Sequence, residues 1–161
     1  MSMNNHPLYL TIILLGVLFC GCNKSDSPTN NIVADPIDWV ESKVIFTEIE
    51  GKKDYSILFF YTDWCGYCHK MDQITFSDAN VTNIMNQSFN CVRVNAESDT
   101  LLVHFDSTAT GRQLKAFYNI GGYPTTCVFK GDGQHIFTVI GYTIPDDFIA
   151  GLNKVLDGLY D

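Results

Sequence analysis

The stretch that most narrows the possible folds is YSILFFYTDWCGYC, Tyr55 to Cys68. Tyr55–Tyr61 is an apolar and aromatic run of strand length. Side chains alternate between faces along a strand, so apolar residues on both faces require a central strand covered on both sides. Thr62 and Asp63 end it, and Cys65 and Cys68 follow, three apart. On a helix starting at Cys65, positions i and i+3 share a face, and the two sulfurs reach disulfide distance. A thiol at a helix N-terminus faces unpaired N–H groups, which lowers its pKa and makes it a nucleophile near neutral pH. A second thiol one turn inside is shielded and resolves the mixed disulfide. Cys65 is therefore expected to attack and Cys68 to resolve.

The same spelling, C-x-x-C-H with His69, also serves covalent haem attachment or metal binding. Haem needs His69 as an axial ligand and a second ligand from elsewhere, for which Met71, Met85, His104 and His135 are candidates. The strand-rich surroundings favour the thiol pair, which needs no cofactor and no metal. A binding module without catalysis is a third reading.

Around this motif the chain reads as alternating elements. Asp35-Pro36 and the spacing of Ile37, Val40 and Val44 predict a helix from about Pro36 to Glu50. A helix is expected from Cys65 to about Gln73, a kink at Thr75–Ser77, and a second helix capped by Asp78. Phe89–Asn95 alternates like a strand, and LLVHF at 101–105 fits a short strand beside the main sheet. Thr110 with Gln113 forms a capping box. Thr125–Lys130 and His135–Ile140 are strands joined by Gly131-Asp132-Gly133. Thr143 and Pro145 open a last helix with Phe148, Ile149, Leu152, Val155, Leu156 and Leu159 on its apolar face. The order α-β-α-β-α-β-β-α implies an α/β fold with a mixed central sheet flanked by helices.

The N-terminus differs in kind. Leu8–Phe19 is a twelve-residue apolar run, the length of a signal-peptide core and short for a membrane span. Gly21 precedes Cys22, as in a bacterial lipoprotein signal. Residues 1–22 are read as a signal peptide with lipidation at Cys22, residues 23–35 as a polar flexible tether, and 36–161 as the domain. This implies a periplasm-facing protein of the bacterial cell envelope, held to the membrane by lipid. Cys20 would leave with the signal. The net charge of −8 lies wholly beyond Cys22. An acidic domain without a basic stripe argues against a nucleic-acid partner.

Gly121-Gly122-Tyr123-Pro124-Thr125-Thr126 precedes the last two strands. With Trp64 before the first cysteine and the final helix, this order resembles the thioredoxin superfamily from about residue 36 onward. Within it, the stretch 104–148 resembles exported thioredoxin-like proteins, including those of sulfur-oxidation systems and the catalytic domains of periplasmic disulfide isomerases. The resemblance implies a thioredoxin-like fold, a Cys65–Cys68 disulfide, and a cis Pro124 that packs against it. Pro124 with Trp64 and Tyr123 would form the substrate edge. It implies thiol–disulfide exchange by a monomer with cysteine-containing exported proteins and a membrane redox partner. Where cytosolic thioredoxins keep a buried Asp, six residues before the first cysteine, this chain has Phe59. The family's strand order would place YSILFFY between Cys91 and Cys127, leaving both as inert buried thiols. His69 is expected on the exposed side of its helix, and Arg93 as a solvated strand residue.

Overall fold

The computed structural model describes residues 36–40, 44–45, 53–105 and 107–160. All lie in the unit Ile32–Asp161. The signal peptide, Cys20, Cys22, the tether and the Asp35 cap fall outside the described residues.

The main sheet is built from β1 (Trp39–Val40), β3 (Tyr55–Tyr61), β4 (Phe89–Asn95), β7 (Thr125–Lys130) and β8 (His135–Ile140), in the order β1-β4-β3-β7-β8. β1 and β3 run parallel to β4, whereas β7 is antiparallel to both β3 and β8. As the apolar run requires, β3 is central: Ile57, Leu58, Phe59 and Phe60 are all 0% exposed. Its alternation divides the core. Ile57, Phe59, Cys91 and Val128 join one cluster with Met85, Phe148 and Leu152. Leu58, Phe60, Val92 and Cys127 join the other with Leu114.

The helices are α1 (Gly66–Lys70), α2 (Ala79–Ser88), α3 (Gly111–Phe117) and α4 (Pro145–Leu156). Asp78 caps α2, accepting from the N–H groups of Asn80 at 2.9 Å and Val81 at 3.1 Å. The Thr110–Gln113 capping box forms at α3. The helix after Cys65 ends in a π-helical turn, Met71–Thr75, closed by the Phe76 N–H to the Met71 carbonyl at 2.8 Å, and the expected kink follows it as a turn at Phe76 and Ser77. Gly133 adopts φ +91° in the β7–β8 turn, a conformation open to glycine at little cost. Among the described residues no helix is long and apolar enough to cross a membrane.

Three expectations need correction. The described part of 36–50 is not helical: it contains β1 and a second short strand, β2 (Val44–Ile45). Trp39 and Val40 pair with Cys91 and Val92 along the flank of β4, and that tertiary pairing of β-prone residues overrides the helical spacing. Residues 41–43 and 46–50 lie outside the described set. Second, LLVHF does form a strand, β5 (Leu101–His104), but in a separate sheet between β2 and the unforeseen β6 (Ser107–Thr110). Third, α4 stops at Leu156 and its N-cap is Ile144. Leu156 and Leu159 are 37% and 69% exposed, so the buried stripe is Phe148, Leu152 and Val155.

Candidate redox site

Cys65 is the N-cap of α1, with φ −76° and ψ 100°. Its backbone is anchored by the Cys65 N–H to the Thr62 carbonyl at 3.2 Å. Cys65 and Cys68 form a disulfide with Cα atoms 5.2 Å apart. The Cys68 N–H donates to Cys65 Sγ at 3.1 Å, the contact a thiolate at a helix start would use. A side chain on Gly66 would meet nothing within 4 Å, so the approach beside Cys65 is open. The cysteines themselves are recessed, Cys65 4% and Cys68 1% exposed. Their asymmetry therefore comes from the cap position and its hydrogen bond more than from exposure.

The surrounding rim is aromatic. Trp64 is 68% and Tyr67 63% exposed. The half-buried Tyr123 meets Trp64 edge-on at 5.9 Å. The Tyr123–Pro124 bond is cis, and the Pro124 carbonyl accepts from the Gly141 N–H at 2.7 Å.

Several residues that shape the rim gave no sign of it in the sequence. The Trp64 indole N–H donates to Glu97 Oε2 at 3.0 Å, which fixes the ring. The Asn95 side-chain amide donates to both carboxylate oxygens of Asp63 at 3.2 Å, and its carbonyl accepts from the Glu97 N–H at 3.0 Å. The Trp64–Glu97 and Asn95–Asp63 contacts join residues 33 and 32 apart in sequence, and no local pattern announces them. Fully buried Thr62 keeps a hydroxyl without a partner among the described residues, as does the Tyr123 hydroxyl.

Arg93 is the other correction. It is held half-buried, with Nη2 donating to Asp72 Oδ2 at 3.0 Å. Tertiary contact decides this, because the strand aims the side chain at three rings from two other strands, Trp39 on β1 and Phe59 and Tyr61 on β3.

His69 is exposed as expected, and its Nε2 lies 3.0 Å from the Asp63 carbonyl. The candidate second haem ligands have other occupations. Met71 and Met85 are core residues, with Met71 Sδ accepting from the Thr143 N–H at 3.4 Å. His104 Nε2 pairs with the Tyr118 hydroxyl at 2.7 Å, and burial lowers its pKa. His135 lies 2.8 Å from Thr138 Oγ1. With both sulfurs of the C-x-x-C joined to each other, the thiol reading is the one the geometry favours.

Cys91 and Cys127 are free and buried. Cys91 is paired with Ile57 and Cys127 with Leu58, so β3 runs between them and they face opposite clusters. Burial pushes the Cys91 thiol up to about 12, with smaller opposing effects of Lys53 and Asp38. Burial likewise raises Cys127, against a hydrogen bond from Thr138.

The thioredoxin-like domain family model matches residues 43–156. The thiol:disulfide interchange protein DsbD of Ralstonia nicotianae is 32% identical over 104 residues, covering 62% of this chain and 15% of that protein. DsbD of Escherichia coli K12 is 32% identical over 89 residues, covering 53% of this chain and 14% of that protein. The chain thus matches only a small part of these relatives. Among solved structures, a thioredoxin-fold protein from Helicobacter pylori superposes with TM-score 0.64 at 21% identity, covering 68% of this chain and 73% of that one. DsbH oxidoreductase superposes with TM-score 0.57 at 17% identity, covering 80% and 90%.

Proposed function

The chain belongs to the thioredoxin-like domain family, and from that premise we propose that it exchanges disulfides with cysteines of other proteins in the bacterial cell envelope. The observation that carries the reading is a Cys65–Cys68 disulfide whose first sulfur caps a helix inside an aromatic rim. The matched relatives are named thiol:disulfide interchange proteins, which supports the same chemistry here.

In the reducing direction, the Cys65 thiolate attacks one sulfur of a client disulfide. A Cys65–client bond forms, and the client's other sulfur leaves as a thiolate and takes a proton. Cys68 then loses its proton and attacks Cys65. The internal disulfide re-forms and the second client thiolate departs, so the client gains two electrons and the protein is oxidised by two. The oxidising direction is the reverse. Trp64 and Tyr123 offer apolar surface to the client, and Pro124 shapes the adjoining backbone edge. A membrane redox partner resets the pair. Lipid on Cys22 and a tether over 23–35 hold the domain facing the periplasm. Mass spectrometry of the mature N-terminus tests the anchor: an unmodified terminus beyond Cys22 removes it.

The deciding experiment is trapping. Cys68→Ser, expressed in a bacterial envelope, should accumulate mixed disulfides through Cys65, and Cys65→Ser almost none. Equal trapping by both, or by neither, overturns the assigned roles. Insulin reduction separates a catalyst from a binding module. The equilibrium with glutathione gives the direction: a potential of about −270 mV marks a reductase, one of about −120 mV an oxidant.

A further inference from the structure

The end of α4 carries apolar side chains that the fold leaves in the open. The helix closes by a Schellman motif. The Gly158 N–H donates to the Val155 carbonyl at 3.0 Å and the Leu159 N–H to the Lys154 carbonyl at 2.9 Å, with Gly158 at φ +69°. In such a motif the residue after the glycine commonly packs on an apolar side chain of the last turn. Here the facing position is Lys154, and Leu159 stays 69% exposed. Tyr160, 44% exposed, stacks on Phe137 of β8 with ring centroids 5.1 Å apart. A closed helix end and a ring contact thus hold these side chains outward, with Leu156 one turn back.

This helix end lies at one pole of the domain. Leu156 lines a depression with Lys53, Asp54, Tyr55, Gln87 and Ser88. Tyr55 begins β3 and Ser88 ends α2. The redox pair lies at the other pole, because Cys65 follows Tyr61, the last residue of β3, about 20 Å along the strand from Tyr55. The chain enters the domain at the Tyr55 pole. The Pro36 carbonyl accepts from the Asn86 side-chain amide at 3.1 Å, and Asn86 Oδ1 accepts from the Asp38 N–H at 2.8 Å. The backbone carbonyl of the same Asn86 accepts from Lys53 Nζ at 2.6 Å. Lys53 therefore joins the entry point of the chain to the depression that Leu156 lines.

We propose that this pole rests on the lipid bilayer through Leu156, Leu159 and Tyr160 and so turns Cys65–Cys68 toward the soluble phase. The proposal rests on the reading of Cys22 as lipidated. The tether 23–35 then joins the bilayer to the domain at Pro36, the pole that carries the apolar side chains. Leucine side chains leave water at the acyl boundary, and a tyrosine suits the headgroup level, where its ring is covered and its hydroxyl stays wet. Three such side chains are too few to hold a free protein on a membrane. The tether makes their contact intramolecular, and a weak surface is then occupied.

The test uses the full chain in a bacterial envelope, with the photoreactive apolar residue p-benzoylphenylalanine placed at position 159, 64 or 140. Leu159, Trp64 and Ile140 are matched in exposure, at 69%, 68% and 69%, but Trp64 and Ile140 lie at the redox pole. After illumination, lipid adducts identified by mass spectrometry should be about fivefold or more commoner at 159 than at 64 or 140. With the probe at 160, the double variant Leu156→Ser/Leu159→Ser should lower the adducts to the level found at 64. Equal adducts at all three positions mean a domain that tumbles on its tether, and overturn the proposal. Crosslinks from 159 to a second copy of this chain, or to another protein, in place of lipid also overturn it. Mass spectrometry of the N-terminus in the same samples separates the two readings. Lipid on Cys22 without an excess of adducts at 159 refutes the docking alone, whereas an unmodified terminus refutes the anchor and the docking together.

Discussion

Alkylating the reduced, folded protein should label its thiols with a contrast large enough to test the sheet order. Burial pushes Cys91 up to about 12. At pH 8 the folded protein then holds only about one Cys91 in 10⁴ as thiolate, against about a quarter for an unfolded chain with a pKa of about 8.5. The thiolate is the species that reacts, so folding should slow labelling of Cys91 on the order of 10³-fold before any steric shielding is added. The assay is iodoacetamide labelling with peptide mapping, with and without denaturant. Cys65 should label first in the folded state, while Cys91 and Cys127 label only on unfolding. The two buried thiols should never crosslink. They lie on β4 and β7 with β3 between, about two strand spacings or roughly 9–10 Å apart, and on opposite faces. The same raised pKa makes a pH prediction. Above about pH 8.5 the unfolded chain loses the Cys91 proton while the folded chain keeps it, so the folded form binds more protons. Stability from this group is complete below that pH and falls as pH rises toward 12. Rapid labelling of Cys91 in the folded state, or a Cys91–Cys127 crosslinked peptide, refutes the placement.

Thr62→Val removes a fully buried hydroxyl that lacks a partner among the described residues and should stabilise the domain by about 1 kcal/mol, read by chemical denaturation. A loss of stability instead would mean that the hydroxyl is satisfied. Asp78→Ala deletes two capping hydrogen bonds and should cost about 1 kcal/mol, a fall of a few degrees in Tm. The glutathione equilibrium should not move in Asp78→Ala, since the cap lies outside the redox site; a shift would tie α2 to the chemistry of the pair.

The sequence by itself determined the features that depend on near neighbours. Seven residues of YSILFFY dictate a strand buried on both faces. Cys65 and Cys68 favour a thiol pair at a helix start, though the same C-x-x-C-H spelling also serves haem, and Asp78 and the Thr110–Gln113 pair dictate their caps, because each signal spans four residues or fewer. Tertiary structure decided whatever depends on partners distant in the chain. Trp39–Val40 lie beside β4 because that strand offers a flank, a gain that helical periodicity cannot register. LLVH joins β2 and β6 instead of the main sheet for the same reason. Trp64 is fixed by Glu97, 33 residues on, and Arg93 is drawn from solvent by Asp72 and rings on β1 and β3. Local spacing sets which face a side chain takes, but the field and contacts on that face come from segments that only the folded chain brings together.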